Sequence, residues 1–93
     1  MGESGFKGKS MKMVAFDVSE GYITVNPLFL KKFDVDMIKE LFEAMNKALT
    51  TIRNEKINYT DSFALRMRNM KLQRLHNATI ILRNIAREKR IPL

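Results

Sequence analysis

The sequence predicts an α+β fold of minimal size: an N-terminal β-hairpin packed on two long antiparallel helices, with a disordered arm in front. Three observations predict it. Strand-forming residues flank a glycine turn between Met13 and Asn26. Apolar residues recur at helical spacing between Val35 and Lys56, and a second, longer helical pattern runs from Ser62 to Lys89. The alternative is a mainly α helical hairpin carrying an extended N-terminal segment. A chain of 93 residues has room for one domain, here residues 13–93.

Met1–Lys12 reads as a flexible basic arm. Gly2, Gly5 and Gly8 with Ser4 and Ser10 supply no core, while Lys7, Lys9 and Lys12 supply charge. The hairpin spans residues 13–26. Val14, Phe16 and Val18 alternate with Ala15 and Asp17, Ser19-Glu20-Gly21 forms the loop, and Tyr22, Ile23, Thr24 and Val25 form the return strand. Gly21 stands where a positive φ is expected.

A connector follows over residues 27–34. Asn26-Pro27 has the form of a helix start, an N-cap side chain followed by proline at the first helical position, so a brief helix is expected there. In the helix of residues 35–56, Ile38, Leu41, Phe42, Met45, Ala48, Leu49 and Ile52 share one face, with Asp34 or Asp36 as cap. Thr60 or Asp61 caps the last helix, residues 62–89, which must stop before Pro92.

Charge is distributed unevenly. Residues 1–61 hold nine basic and nine acidic side chains, whereas residues 62–93 hold eight basic residues against Glu88 alone, which is the whole net charge of +7. A one-sided basic segment points to a polyanionic partner. On a helical projection, Phe63, Met67, Met70, Ala78, Ile81 and Ile85 form one apolar stripe, and Leu65, Leu72, Leu75, Thr79, Leu82 and Ala86 form a second. The two merge into an arc about half the circumference wide, broader than one helix covers. The hairpin is expected to cover part of it and a second protomer or a larger partner protein the rest, with Met67, Met70 and Leu72 as docking residues.

The remaining face carries Arg66, Asn69, Gln73, His76, Asn77, Arg83, Asn84, Arg87 and Arg90. Solvated helix faces ordinarily mix Glu with Lys; this one holds arginines and amides, the side chains that pair with phosphates and base edges. Arg66, Arg68, Lys71, Arg74, Arg83, Arg87, Lys89 and Arg90 are therefore the expected nucleic-acid contacts. The aromatics Phe16 and Tyr22 are read as strand packing, which favours a backbone-directed mode over the stacking of single-stranded bases.

Catalysis and metal binding find no support in the composition. The chain has one histidine, His76, and no cysteine, so thiolate zinc sites have no ligands, and a Ser/His/Asp arrangement is not expected from one His in a body too small to shape a pocket. Asp34, Asp36, Glu40 and Glu43 read as caps and surface pairs, and the arm glycines lack the flanking strand and helix of a phosphate loop. No cofactor is expected. No apolar run has the length of a membrane span, and Met1–Lys12 lacks the apolar core of a signal peptide. The expectation is a non-enzymatic, cytoplasmic, nucleic-acid-binding accessory or regulatory protein. The alternative is an assembly subunit docked on a larger protein such as a polymerase.

Overall fold

The computed structural model describes residues 10–93. Four helices follow one another: α1 (Met11–Ser19), α2 (Pro27–Leu30), α3 (Val35–Asn54) and α4 (Ser62–Glu88). They hold 71% of the described residues, and there is no strand among them. The fold is all-α, and the expected hairpin over residues 13–26 does not form. Residues 1–9, most of the expected arm, lie outside the described residues; Met11 and Lys12 belong to α1 rather than to an arm.

The first half of the expected hairpin is helix α1 because a 3.6-residue period fits it better than a period of two. Met11, Val14, Ala15, Val18 and Ser19 are buried, at spacings of three, four, seven and eight residues from Met11. Phe16, which an alternating strand would place beside Val14 and Val18, is instead 56% exposed. Ser10 caps the helix, its side chain accepting from Met13 N at 3.1 Å.

Gly21 does take a positive φ of 84°, but it ends a helix rather than turning a hairpin. Tyr22 N donates to Asp17 O at 2.9 Å and Gly21 N to Val18 O at 3.1 Å. That is a Schellman cap with glycine at its left-handed position. Residues 23–26 then run without regular structure to Asn26, and only Val25 among them is buried.

The other caps follow the sequence. Asn26 accepts from Phe29 N at 2.8 Å and Asp34 from Met37 N at 2.8 Å. Asp61 accepts from Ala64 N at 3.0 Å. Each such cap contributes about 1 kcal/mol. Helix α3 buries Ile38, Leu41, Met45, Leu49 and Ile52, with Phe42 and Ala48 at the margin of the core. Arg68 of α4 reaches the carbonyl of Arg53, and Arg83 lies over the ring of Phe42. The two long helices therefore run antiparallel.

Helix α1 packs on both long helices, and the three share one core. On α4 that core takes Leu75, Ala78, Thr79, Leu82, Ile85 and Ala86. The wide apolar arc is thus covered within the chain, by α3 on one flank and α1 on the other. No residue from Ser62 to Arg74 is fully buried, so the N-terminal half of α4 lies at the edge of the body. Across its 27 residues α4 is about 40 Å long, close to the molecule's longest dimension of 45 Å.

A pair of substitutions separates the helix from a hairpin. Ala15→Lys should destabilise by more than about 3 kcal/mol, because it buries a charge, whereas Phe16→Lys should cost under about 1 kcal/mol. Urea unfolding of the two variants checks this, and the reverse order would restore the alternating pattern.

Candidate nucleic-acid interface

The structure sorts the eight expected basic contacts into two sets. Four are engaged by the protein itself. Arg74 Nη1 donates to Ser19 O at 3.0 Å, and its guanidinium lies so near Gly21 that an added Cβ would sit 3.0 Å from Arg74 Cζ. Lys71 Nζ pairs with Glu20 Oε2 at 3.2 Å. Arg68 Nη2 donates to Arg53 O at 3.3 Å. Arg83 stands over the Phe42 ring, 5.5 Å from its centroid, a contact worth about 0.5–1 kcal/mol at such a site.

Arg74 and Lys71 together fasten the C-terminal end of α1 to the middle of α4. Arg74 also satisfies one of the carbonyls that the last turn of α1 leaves open. These cations interrupt the apolar side of α4 because they are the attachment of another helix.

Arg66, Arg87, Lys89 and Arg90 form the second set. All four are exposed, and among the described residues none holds a side-chain hydrogen bond or ion pair. Arg66 lies near the start of α4 and the other three at its end. The 21 positions from Arg66 to Arg87 correspond to about 31 Å of helix. Between them the outward face is rich in amides, with Asn69, Gln73, His76, Asn77 and Asn84 all exposed, and Arg83 is the exposed cation among them. Arg87, Lys89 and Arg90 also stand at the negative end of the α4 dipole, where cations are favoured.

Arg90 has a distinctive backbone. Its φ is +60°, and it occupies the left-handed position of a second Schellman cap. Ile91 N donates to Ala86 O at 2.7 Å and Arg90 N to Arg87 O at 3.1 Å, with Ile91 buried beneath. Glycine fits this position with no Cβ penalty. Here the chain places an exposed arginine, as strained residues at functional sites often are.

The docking residues expected from the sequence are distributed differently. Met67 and Leu72 are half-buried, with Leu72 packed against the core. Met70 is 38% exposed and shares the outward face with Phe63 and Ile80, also exposed. Phe63, which the helical projection places on an apolar stripe, is thus exposed, and so is Ile80, which belongs to neither stripe.

Sequence reasoning also missed Arg53 and Lys56, because they belong to the electrically balanced part of the chain. The Arg68–Arg53 contact brings the end of α3 to the beginning of α4, so both add to the cations there. Glu20, Glu40, Glu43 and Glu55, together with Lys12, Lys47 and Lys71, line a groove of about 480 Å³ beside α1 and α3, whose apolar lining is Met11, Phe16, Ala44, Ala48 and Ile52.

Among the described residues no helix is long and apolar enough to cross a membrane, and no group of three or more His, Asp or Glu side chains is placed to hold a metal ion. No family model, curated protein or solved structure matches this chain.

Two stability measurements test the sorting. Arg74→Ala should lower stability by about 1–2 kcal/mol, whereas Arg66→Ala and Arg87→Ala should stay within about 0.5 kcal/mol of the parent. Arg90→Gly should raise stability by about 1 kcal/mol by removing the left-handed strain. Thermal unfolding followed by circular dichroism reads all four.

Proposed function

We propose that this is a non-enzymatic, cytoplasmic accessory or regulatory protein that binds nucleic acid along the outward face of α4. The observation that carries the reading is the set of unpaired cations. Arg66, Arg87, Lys89 and Arg90 are exposed with no side-chain partner among the described residues, and Glu88 is the only acid in α4. None of the four ties one element of the fold to another, and Arg90 occupies a left-handed backbone position that glycine would fill without a Cβ penalty. A phosphate backbone offers ligands at repeated spacing along such a face, and arginine pairs with phosphate through two parallel hydrogen bonds.

Within this reading the roles divide. Arg66 and the C-terminal group of Arg87, Lys89 and Arg90 bind phosphates. Asn69, Gln73, Asn77 and Asn84 lie between them and offer hydrogen bonds to sugars, phosphates or base edges. Arg68, Lys71, Arg74 and Arg83 hold the scaffold and add to the positive potential without leaving their partners.

A second reading, the assembly subunit, is favoured by exposed apolar side chains. Phe63, Met70 and Ile80 interleave with the polar residues of the α4 face, and the groove beside α1 and α3 has an apolar lining. In that reading the protein docks on a larger nucleic-acid machine, and the basic face complements it.

The test is the salt dependence of binding to a labelled oligonucleotide. Replacing Arg66, Arg87, Lys89 and Arg90 together by Gln should weaken binding and flatten the log–log salt slope by roughly 3.6 on duplex, the share of four phosphate contacts. The circular dichroism spectrum should not change. An unchanged slope in a folded variant would remove these residues from the interface, and the assembly reading would then stand in its place.

A further inference from the structure

The end of the molecule where α3 gives way to α4 carries two aromatic rings that the core does not use. Tyr59 is 75% exposed and Phe63 69% exposed. Four residues apart, they flank Asp61, whose side chain caps α4. Of the other described aromatics, Phe29 and Phe33 pair at 5.2 Å between centroids and Phe42 lies under Arg83, while Phe16 and Tyr22, on α1 and just after it, are exposed instead of packed in a strand pair. A single exposed ring is ordinary. Two at one tip among cations are a different matter.

Those cations are Arg53, Lys56, Arg66 and Arg68. Arg68 is committed to the carbonyl of Arg53, which fixes the end of α3 against the first turns of α4. Arg53, Lys56 and Arg66 are exposed. The acids nearby are Glu55 and Asp61, and Asp61 is engaged with the backbone of Ala64 at 3.0 Å. The tip thus has a positive balance and two available ring faces. One turn beyond Phe63 on α4 come Arg66 and Met67, and two turns beyond lies Met70.

We infer that this tip is a stacking platform for single-stranded nucleic acid: bases stack on Tyr59 and Phe63 while Arg53, Lys56 and Arg66 hold the adjoining phosphates. The inference rests on the polyanion-binding reading above and narrows its substrate class. Single-strand binders combine a positive track with aromatic faces because every base has a π surface, whereas paired bases in a duplex keep theirs covered. The arrangement therefore discriminates strandedness with little regard to sequence. It also gives Arg66, about 31 Å along α4 from Arg87, a local set of partners.

The chain contains no tryptophan, so Phe63→Trp places a single indole reporter on the platform. The variant is titrated at low salt with a single-stranded oligothymidylate, a matched duplex, and heparin, a polyanion without bases. Single strand should quench the indole emission strongly, and heparin should bind without quenching it. A Tyr59→Ala/Phe63→Ala variant, folded by circular dichroism, should lose about tenfold or more in single-strand affinity and under about twofold in heparin affinity. Equal affinity of parent and double variant for the single strand, with unquenched indole, would overturn the platform while leaving polyanion binding intact. A concentration-dependent shift of the indole emission without nucleic acid would overturn it in favour of a protein contact. Failure of every polyanion to bind would overturn the platform together with the reading beneath it.

Discussion

Helix α1 has to fill the angle between α3 and α4, and the rest of the structure depends on that packing. The antiparallel pair leaves an apolar arc on α4 too wide for α3 to cover. Nine residues close it, with Val14 fully buried and Met11, Ala15 and Val18 nearly so. A helix this short has little stability of its own. Its position is secured by a serine cap at one end and, at the other, by Gly21 in the left-handed conformation beneath the Arg74 guanidinium.

That attachment decides which charges are free. Lys71 and Arg74 are used to hold α1, Arg68 to hold the end of α3, and Arg83 to cover Phe42. What remains is a helix with cations at its two ends and amides between them. A continuous basic stripe would attract any polyanion along its length. Two separated groups instead set a spacing, and a ligand that satisfies both must span about 31 Å. The C-terminal group is further defined by its cap, since the residue that turns the chain out of α4 is itself an arginine.

The long helices were legible because their signals agree. Periodicity, capping residues and length all point to helix over residues 35–56 and 62–89, where the helices run Val35–Asn54 and Ser62–Glu88, and Asn26-Pro27 marks the short α2. The first helix was not legible as one, because Val14 and Val18 are compatible with both periods. The β-branched residues from Ile23 to Val25 then tilted the balance toward a strand that has no partner to pair with. Gly21 illustrates the same limit: its positive φ could be read from the residue type, but the motif that uses it could not. The basic character of α4 was plain in the sequence. Its division was not, since nothing near Arg74 in the chain announces the carbonyl of Ser19, 55 positions away. Arg53 was hidden for a related reason, as it joins the basic end of α4 only through the turn between the helices.

The central claim is that Arg66, Arg87 and Arg90 meet a polyanion while Arg74 stays with α1. Side-chain resonances of the arginine Nε–Hε groups, followed by nuclear magnetic resonance during titration with an oligonucleotide, test it residue by residue. The account predicts that the Arg66, Arg87 and Arg90 signals shift progressively and that Arg74 stays in place. A shift of the Arg74 signal with those of Arg66, Arg87 and Arg90 unmoved would contradict it.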